Sequence, residues 1–261
     1  MIYLSAGMPR AGSGWHYNLI HDLMQTAGCI DARAIREKYR LQKVLTEVNC
    51  NIGVLSARRL GMTAIPALMG NSFVIKAHAG PTPTSRLFQR LGLLRITYIY
   101  RDPRDAMLSA FDYGQRALQK GRPNAFSHLT DFNKSLAFIL EYIRIWERWS
   151  REKGVLIARY EELLMNYDEE VRRLLGFLKL DGSKPEGSAE PGAVLSGEAV
   201  SKERSVQKVT DAFRPEKGEG QQGLHFFKGK IGRFRDSYSV DQQAVLTQTL
   251  GGYLQRMGYD V

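Results

Sequence analysis

Apolar residues recur along this chain with two different periods, and the two alternate. Ile2–Ala6 is a short apolar run containing a β-branched residue and a tyrosine, which predicts a buried strand. Trp15, Leu19, Ile20, Leu23 and Met24 then return at helical spacing. Further strands are predicted at Asn71–Lys76, at Arg95–Tyr100, where β-branched and aromatic residues dominate, and at Val155–Ala158. Helices are predicted over Ser85–Leu94, from Asp102-Pro103 onward, over Leu129–Trp149, Asp168–Leu178 and Val240–Met257, with shorter ones in 29–70. Asp102 suits an N-cap, Pro103 suits the first helical position, and Ala106, Met107, Ala110 and Phe111 would turn inward. In 181–236 glycine, serine, lysine and glutamate dominate and the apolar spacing is lost, which predicts a long loop region. Strands alternating with helices give a parallel sheet covered on both faces, an α/β fold in one domain over 1–261.

Charge adds a partner class. The 261 residues carry a net charge of +10, which suits a partner bearing several negative charges, whether nucleotide, glycan, nucleic acid or membrane surface. Two cysteines, Cys29 and Cys50, make neither a disulfide framework nor a metal cluster. No leader precedes the first strand and no apolar run reaches the roughly 18 residues of a membrane span, so a cytoplasmic protein is expected.

The turn between the first strand and helix holds the first candidate chemistry. Gly7 to Gly14 contains three glycines, a proline and Arg10, and a glycine-rich turn into a helix presents free backbone N–H groups to an anion. Gly7 and Gly12 match half of the nucleoside-triphosphate loop, but Ser13-Gly14 stands where Lys-Ser/Thr would follow. That disfavours an ordinary ATP or GTP site. Lys76-Ala77-His78 leaves the second strand, and alternation places Lys76 and His78 on one side of it. A histidine can take a proton from a hydroxyl while a lysine stabilises developing negative charge. Arg101 at the third strand's end, with Ser109 two turns into the next helix, makes a second phosphate-binding pair. Arg104 and Asp105 are expected to form a solvated helix start. Phe226–Arg235 interleaves four cations with glycines and aromatics and can wrap a phosphate.

Taken together these motifs resemble the sulfotransferases that use 3′-phosphoadenosine 5′-phosphosulfate (PAPS). PRAGSGW at 9–15 is similar to the family's PKSGTTW loop, and Lys76-Ala77-His78 to its Lys-Thr-His. RDPRDAMLS at 101–109 resembles its 3′-phosphate motif, ARYEEL at 158–163 its adenine-flanking segment, and FKGKIGRFR at 227–235 its C-terminal loop. The resemblance implies a doubly wound parallel sheet of P-loop type, flanked by helices, with the nucleotide at the switch point. It implies that Arg10, Ala11, Gly12, Ser13, Gly14 and Trp15 hold the 5′ end and adenine. Arg101, Ser109, Phe227, Lys228 and Gly229 would take the 3′-phosphate side and Tyr160 the base. His78 would be the catalytic base for an in-line attack by a hydroxyl or amine on sulfur, with Lys76 and Arg10 stabilising the leaving phosphate oxygen. The product would be adenosine 3′,5′-bisphosphate, and no metal would be required.

Several positions depart from the family pattern. Arg10 stands for a lysine, Gly14 for a threonine and Phe227 for a common arginine, while Arg233 and Phe234 replace an Asp-Trp pair. Lys230 or Arg233 are then candidates for the missing 3′-phosphate cation. The family's dimer motif is only shadowed by residues 235–244, so oligomerisation is left open. The acceptor is expected to be a small molecule, lipid or glycan rather than nucleic acid, with Phe111, Tyr113 and Phe126 available to face it. The alternatives are a P-loop nucleotide kinase or phosphotransferase, and a non-catalytic protein binding an anionic ligand.

Overall fold

A computed structural model describes residues 1–180, 197–215 and 230–261. Among these residues four strands form one parallel sheet: β1 (Ile2–Gly7), β2 (Phe73–Ala77), β3 (Leu94–Tyr100) and β4 (Val155–Arg159). The spatial order is β2-β1-β3-β4. The chain steps from β1 to β2 on one side, then crosses back over β1 to build β3 and β4. The switch point therefore lies between β1 and β3, and the crevice outside their carboxyl ends is where open α/β sheets bind ligands.

Each strand places alternate residues in two cores. Ile2, Leu4, Ala6, Phe73, Ile75, Ile96 and Tyr98 join one core. It is completed by α6 (Phe132–Ser150) through Ile139, Ile143, Trp146 and Trp149, and by α11 (Val240–Met257) through Leu246, Leu250 and Leu254. Val74, Ile99 and Ala158 join the other, which α1 (Ser13–Thr26) and α8 (Tyr167–Leu178) fill. Helices α2 (Ala32–Lys38), α3 (Ala57–Leu68) and α4 (Pro83–Arg90) occupy the connections around β2, and the short α10 (Phe234–Ser237) precedes α11. Truncating a fully buried side chain as large as Trp149 costs about 3–5 kcal/mol, so each core is a substantial anchor. No helix of the described residues is long and apolar enough to cross a membrane.

The strand predictions agree with the structure to within two residues, and α11 agrees at both ends. Helix α5 (Pro103–Gln119) starts as its composition requires: Asp102 is the N-cap, its side chain accepts from the Arg104 N–H, and Pro103 follows. Two expectations fail. Residues 197–212 are helix α9 (Gly197–Ala212), not loop. Among the described side chains, Val206 and Val209 of α9 with Phe213 just past its end form a stripe too narrow to stand out in a polar segment, yet enough to pack against the α1 side of the sheet. And a short helix α7 (Tyr160–Met165) precedes α8, where no separate helix is predicted.

Candidate active site

Residues 8–12 join β1 to α1 at the switch point. Arg10 and Gly12 both take left-handed backbone conformations, with φ of 65° and 73°. For arginine this conformation is costly by about 1–2 kcal/mol, and the turn imposes it. Gly12 has no alternative residue, because a Cβ there would lie 2.5 Å from Cδ2 of Tyr160. Gly7 is equally confined, since its Cβ would meet Ile99 Cγ2 at 2.6 Å. Gly12 is also the N-cap of α1. It offers no side-chain acceptor, and the first turn holds no acidic residue. The positive end of α1 thus faces the crevice without a carboxylate to neutralise it.

Three side chains converge on this turn. Arg10 donates through Nε to Ser109 Oγ at 3.2 Å and lies over the Tyr113 ring, 4.5 Å from its centroid. The glycine-rich turn and α5 are therefore joined by the two residues that sequence motifs place on different phosphates. Lys76 pairs in register with Ser5 on β1 and is only 5% exposed. Burial and the neighbouring Arg10 guanidinium lower its ammonium to a pKa of about 8. His78, one residue past β2, donates from Nδ1 to the carbonyl of Gly7 at 2.7 Å. That bond sets the tautomer and leaves Nε2 as the accepting nitrogen. Burial first, then Lys76, lowers His78 to about 4, against a smaller upward pull from the Gly7 bond. The imidazole is consequently neutral and able to take a proton at neutral pH.

On the other side of the turn, Arg101 is 7% exposed and stacks on the Tyr160 ring at 4.6 Å. It donates through one terminal nitrogen to Asp105 at 3.2 Å and to the Lys230 carbonyl at 2.7 Å, while its Nε is buried with no hydrogen-bond partner. Tyr160 also meets Trp15 edge-on at 6.1 Å. Trp15 in turn lies parallel to Tyr167 at 6.2 Å and donates to the Phe213 carbonyl at 3.1 Å. The end of α9 thereby reaches the site.

Arg104 and Asp105 are not a solvated helix start. Asp105 is 1% exposed, and its two oxygens accept from the Gly232 and Phe234 N–H groups at 2.7 and 3.1 Å. Arg104 pairs with Asp102 at 2.8 Å and covers the Phe234 ring at 4.1 Å. A charge-dense sequence RDPRD reads as surface, but tertiary contact with 232–234 buries it. Of the two candidate replacement cations, Arg233 is paired with Asp112 at 2.7 Å, while Lys230 is exposed. Phe226, Phe227, Lys228 and Gly229 lie outside the described residues. Ala11, Ser13 and Gly14 sit in the turn and the first residues of α1 as their motif places them. Asp105, Tyr167 and Phe213 were not legible as site residues, and Tyr113 was expected only to face the acceptor. Asp105 could have been, as a second acid one turn beyond the Asp102 N-cap.

The sequence matches the sulfotransferase domain family over residues 4–258. Human sulfotransferase 2B1 is 28% identical over 156 residues, covering 57% of this chain and 41% of that protein. The match thus spans less than half the length of that relative. Among solved structures, retinol dehydratase in complex with androsterone and inactive cofactor PAP superposes with a TM-score of 0.55 at 17% identity, covering 100% of this chain and 81% of that one. Mouse sulfotransferase SULT7A1 complexed with PAP gives 0.50 at 16% identity, covering 97% and 84%. These structural likenesses speak for the fold, which is the α/β arrangement found here. With the domain match running from Leu4 to Gly258 and so including both the turn at 8–12 and the Lys76-x-His78 strand end, the chain belongs to the sulfotransferase family.

Proposed function

We propose that this protein transfers the sulfuryl group of PAPS to a hydroxyl or amine of a small acceptor, within one domain over 1–261. The observation that carries this reading is the pairing of His78 with Gly7. It holds a neutral imidazole with Nε2 free to accept a proton, beside Lys76 and the uncapped start of α1. The donor nucleotide fits the residues present: α1 offers an anion site without a competing acid, and Arg101 has a buried nitrogen that lacks a partner. When bound, PAPS supplies an activated sulfuryl group and a good leaving phosphate.

In this reading the turn at 10–14 and the α1 N-terminus bind the 5′ end, Trp15 and Tyr160 wall the adenine side, and Arg101 and Ser109 take the 3′-phosphate. His78 Nε2 accepts the acceptor's proton as its oxygen or nitrogen bonds to sulfur. Lys76 and Arg10 stabilise the charge that develops on the departing phosphate oxygen. A sulfuryl group carries less charge than a phosphoryl group, which suits a site lined by the cations Arg10, Lys76 and Arg101.

A ladder of half-buried rings, Tyr113–Phe126–Phe138–Tyr142, with centroids 5.7, 5.7 and 4.9 Å apart, starts beneath Arg10 and supports an apolar or ring-bearing acceptor. Both cysteines are free, in keeping with a reducing cytoplasm. The test is transfer of labelled sulfate from PAPS across phenol, lipid-alcohol and sugar acceptors, alongside thermal shift with adenosine 3′,5′-bisphosphate and with ATP-magnesium. Transfer and a shift with the bisphosphate are expected. A shift with ATP-magnesium alone would overturn the proposal in favour of a kinase.

A further inference from the structure

A carboxylate stands beside the arginine proposed for the 3′-phosphate, where charge alone would repel that group. Asp105 is 1% exposed, and its Oδ2 accepts from a terminal nitrogen of Arg101 at 3.2 Å. The same oxygen accepts the Gly232 N–H at 2.7 Å, and Oδ1 accepts the Phe234 N–H at 3.1 Å. The Arg101 nitrogen that meets Asp105 also donates to the Lys230 carbonyl at 2.7 Å. These bonds close a ring. It runs from the carboxylate to the guanidinium, on to the Lys230 carbonyl, and back through the Gly232 N–H. Gly232 takes a left-handed φ of 77° in it, a state that suits glycine. Arg233, paired with Asp112, and Phe234, beneath the Arg104 guanidinium, fasten the same segment. A buried carboxylate is tolerated where donors replace its lost hydration, and here two amides and a guanidinium do so.

We infer that Asp105 is a positioning residue for Arg101: it fixes the guanidinium directly, and through Gly232 it fixes the Lys230 carbonyl that the guanidinium also needs. Two acceptors pin one terminal nitrogen, and the Tyr160 ring, 4.6 Å away, supports the plane. With nitrogen and plane both set, the planar fork has one orientation. Its Nε, buried without a partner among the described residues, is then held ready for the ligand. The inference rests on the proposed function for the identity of that ligand, the 3′-phosphate. Charge and position make opposite predictions for this acid. As a bare negative charge Asp105 would weaken binding of a phosphate, and its removal would tighten it. As a positioning residue its removal weakens binding, because Arg101 loses its seat.

The test is Asp105→Asn, which keeps the shape but leaves one acceptor oxygen for three donors, read by calorimetry with two nucleotides. Adenosine 3′,5′-bisphosphate should bind about 10-fold more weakly, while adenosine 5′-phosphate should stay within about twofold. Unchanged or tighter bisphosphate binding, or equal losses for both nucleotides, overturns the inference; a merely structural role would give equal losses. Because Asp105 acts through Arg101, adding Asp105→Asn to Arg101→Ala should cost less than about twofold more, and a full further loss overturns the link. Hydrogen exchange of the native protein needs no variant to fold. The Gly232 and Phe234 amides should exchange more slowly with saturating bisphosphate than with saturating adenosine 5′-phosphate, and equal protection overturns the inference. A native protein with no preference for the 3′-phosphorylated nucleotide overturns it as well. If the nucleotide results are as expected while no acceptor receives sulfate, the positioning role stands and the proposed function falls.

Discussion

The Nδ1–H of His78 is bonded to the carbonyl of Gly7 at 2.7 Å, tying the end of β2 to the last residue of β1. A histidine outside the strand is thereby held in one tautomer by the strand next to it. His78→Asn keeps an N–H donor for Gly7 and removes the proton acceptor. It should bind adenosine 3′,5′-bisphosphate with near-native affinity by calorimetry, while sulfate transfer drops by about 10²-fold or more. Native turnover in this variant would place the base elsewhere.

The pH profile of transfer follows from two lowered pKa values. The base must be unprotonated, so activity present above the His78 pKa of about 4 is lost only below it. The leaving-oxygen cation must be protonated, so activity falls as pH rises through the Lys76 pKa of about 8. The ratio kcat/KM should be flat between these limits. An acid limb centred near 6.5, the ordinary histidine value, would show that burial does not lower His78 in the working enzyme.

Stability should also weaken in acid. His16 and His78 have folded-state pKa values of about 3 and about 4, below the unfolded value near 6.5. Between these limits the unfolded chain binds more protons, so stability is present above pH 6.5 and is lost as pH falls toward 3. Each histidine contributes a slope of about 1.4 kcal/mol per pH unit. Urea unfolding at pH 7 and pH 5 should show the loss, and His16→Asn should reduce the slope by one proton's worth.

Gly12→Ala should destabilise by about 2 kcal/mol or more, combining a left-handed alanine with contact against Tyr160 at 2.5 Å. In a Tyr160→Ala background only the backbone cost, about 1–2 kcal/mol, should remain. Equal costs in both backgrounds, by denaturant titration, would show that the ring does not press on this glycine.

Arg101→Ala should weaken adenosine 3′,5′-bisphosphate by about 10- to 100-fold, the value of a charged hydrogen bond. Adenosine 5′-phosphate, lacking the 3′ group, should lose little. Equal losses by calorimetry would remove Arg101 from the 3′-phosphate site.

Much of this protein is legible from local pattern. The strand cores, the α5 cap at Asp102-Pro103, and the order of glycine-rich turn, Lys76-x-His78 and Arg101…Ser109 all rest on spacing along the chain. The misreadings share a cause. Asp105 and Arg104 are charged residues made interior by the Gly232 backbone and the Phe234 ring, 127 and 130 positions away. Helix α9 is polar because only a narrow stripe of it touches the sheet side. Neither contact leaves a local trace.

The sequence by itself determined the strands and most of the helices, the sheet's parallel sense and the chemical types at its carboxyl edge, because hydrophobic period and turn chemistry are local properties. Only the tertiary structure decided that Arg10 meets Ser109 and that Gly7 orients His78. Those relationships depend on strand order and register, which bring residues 99 and 71 positions apart to hydrogen-bonding distance. The same packing withdraws water from Lys76, His16 and His78, and that desolvation gives the three groups their shifted chemistry.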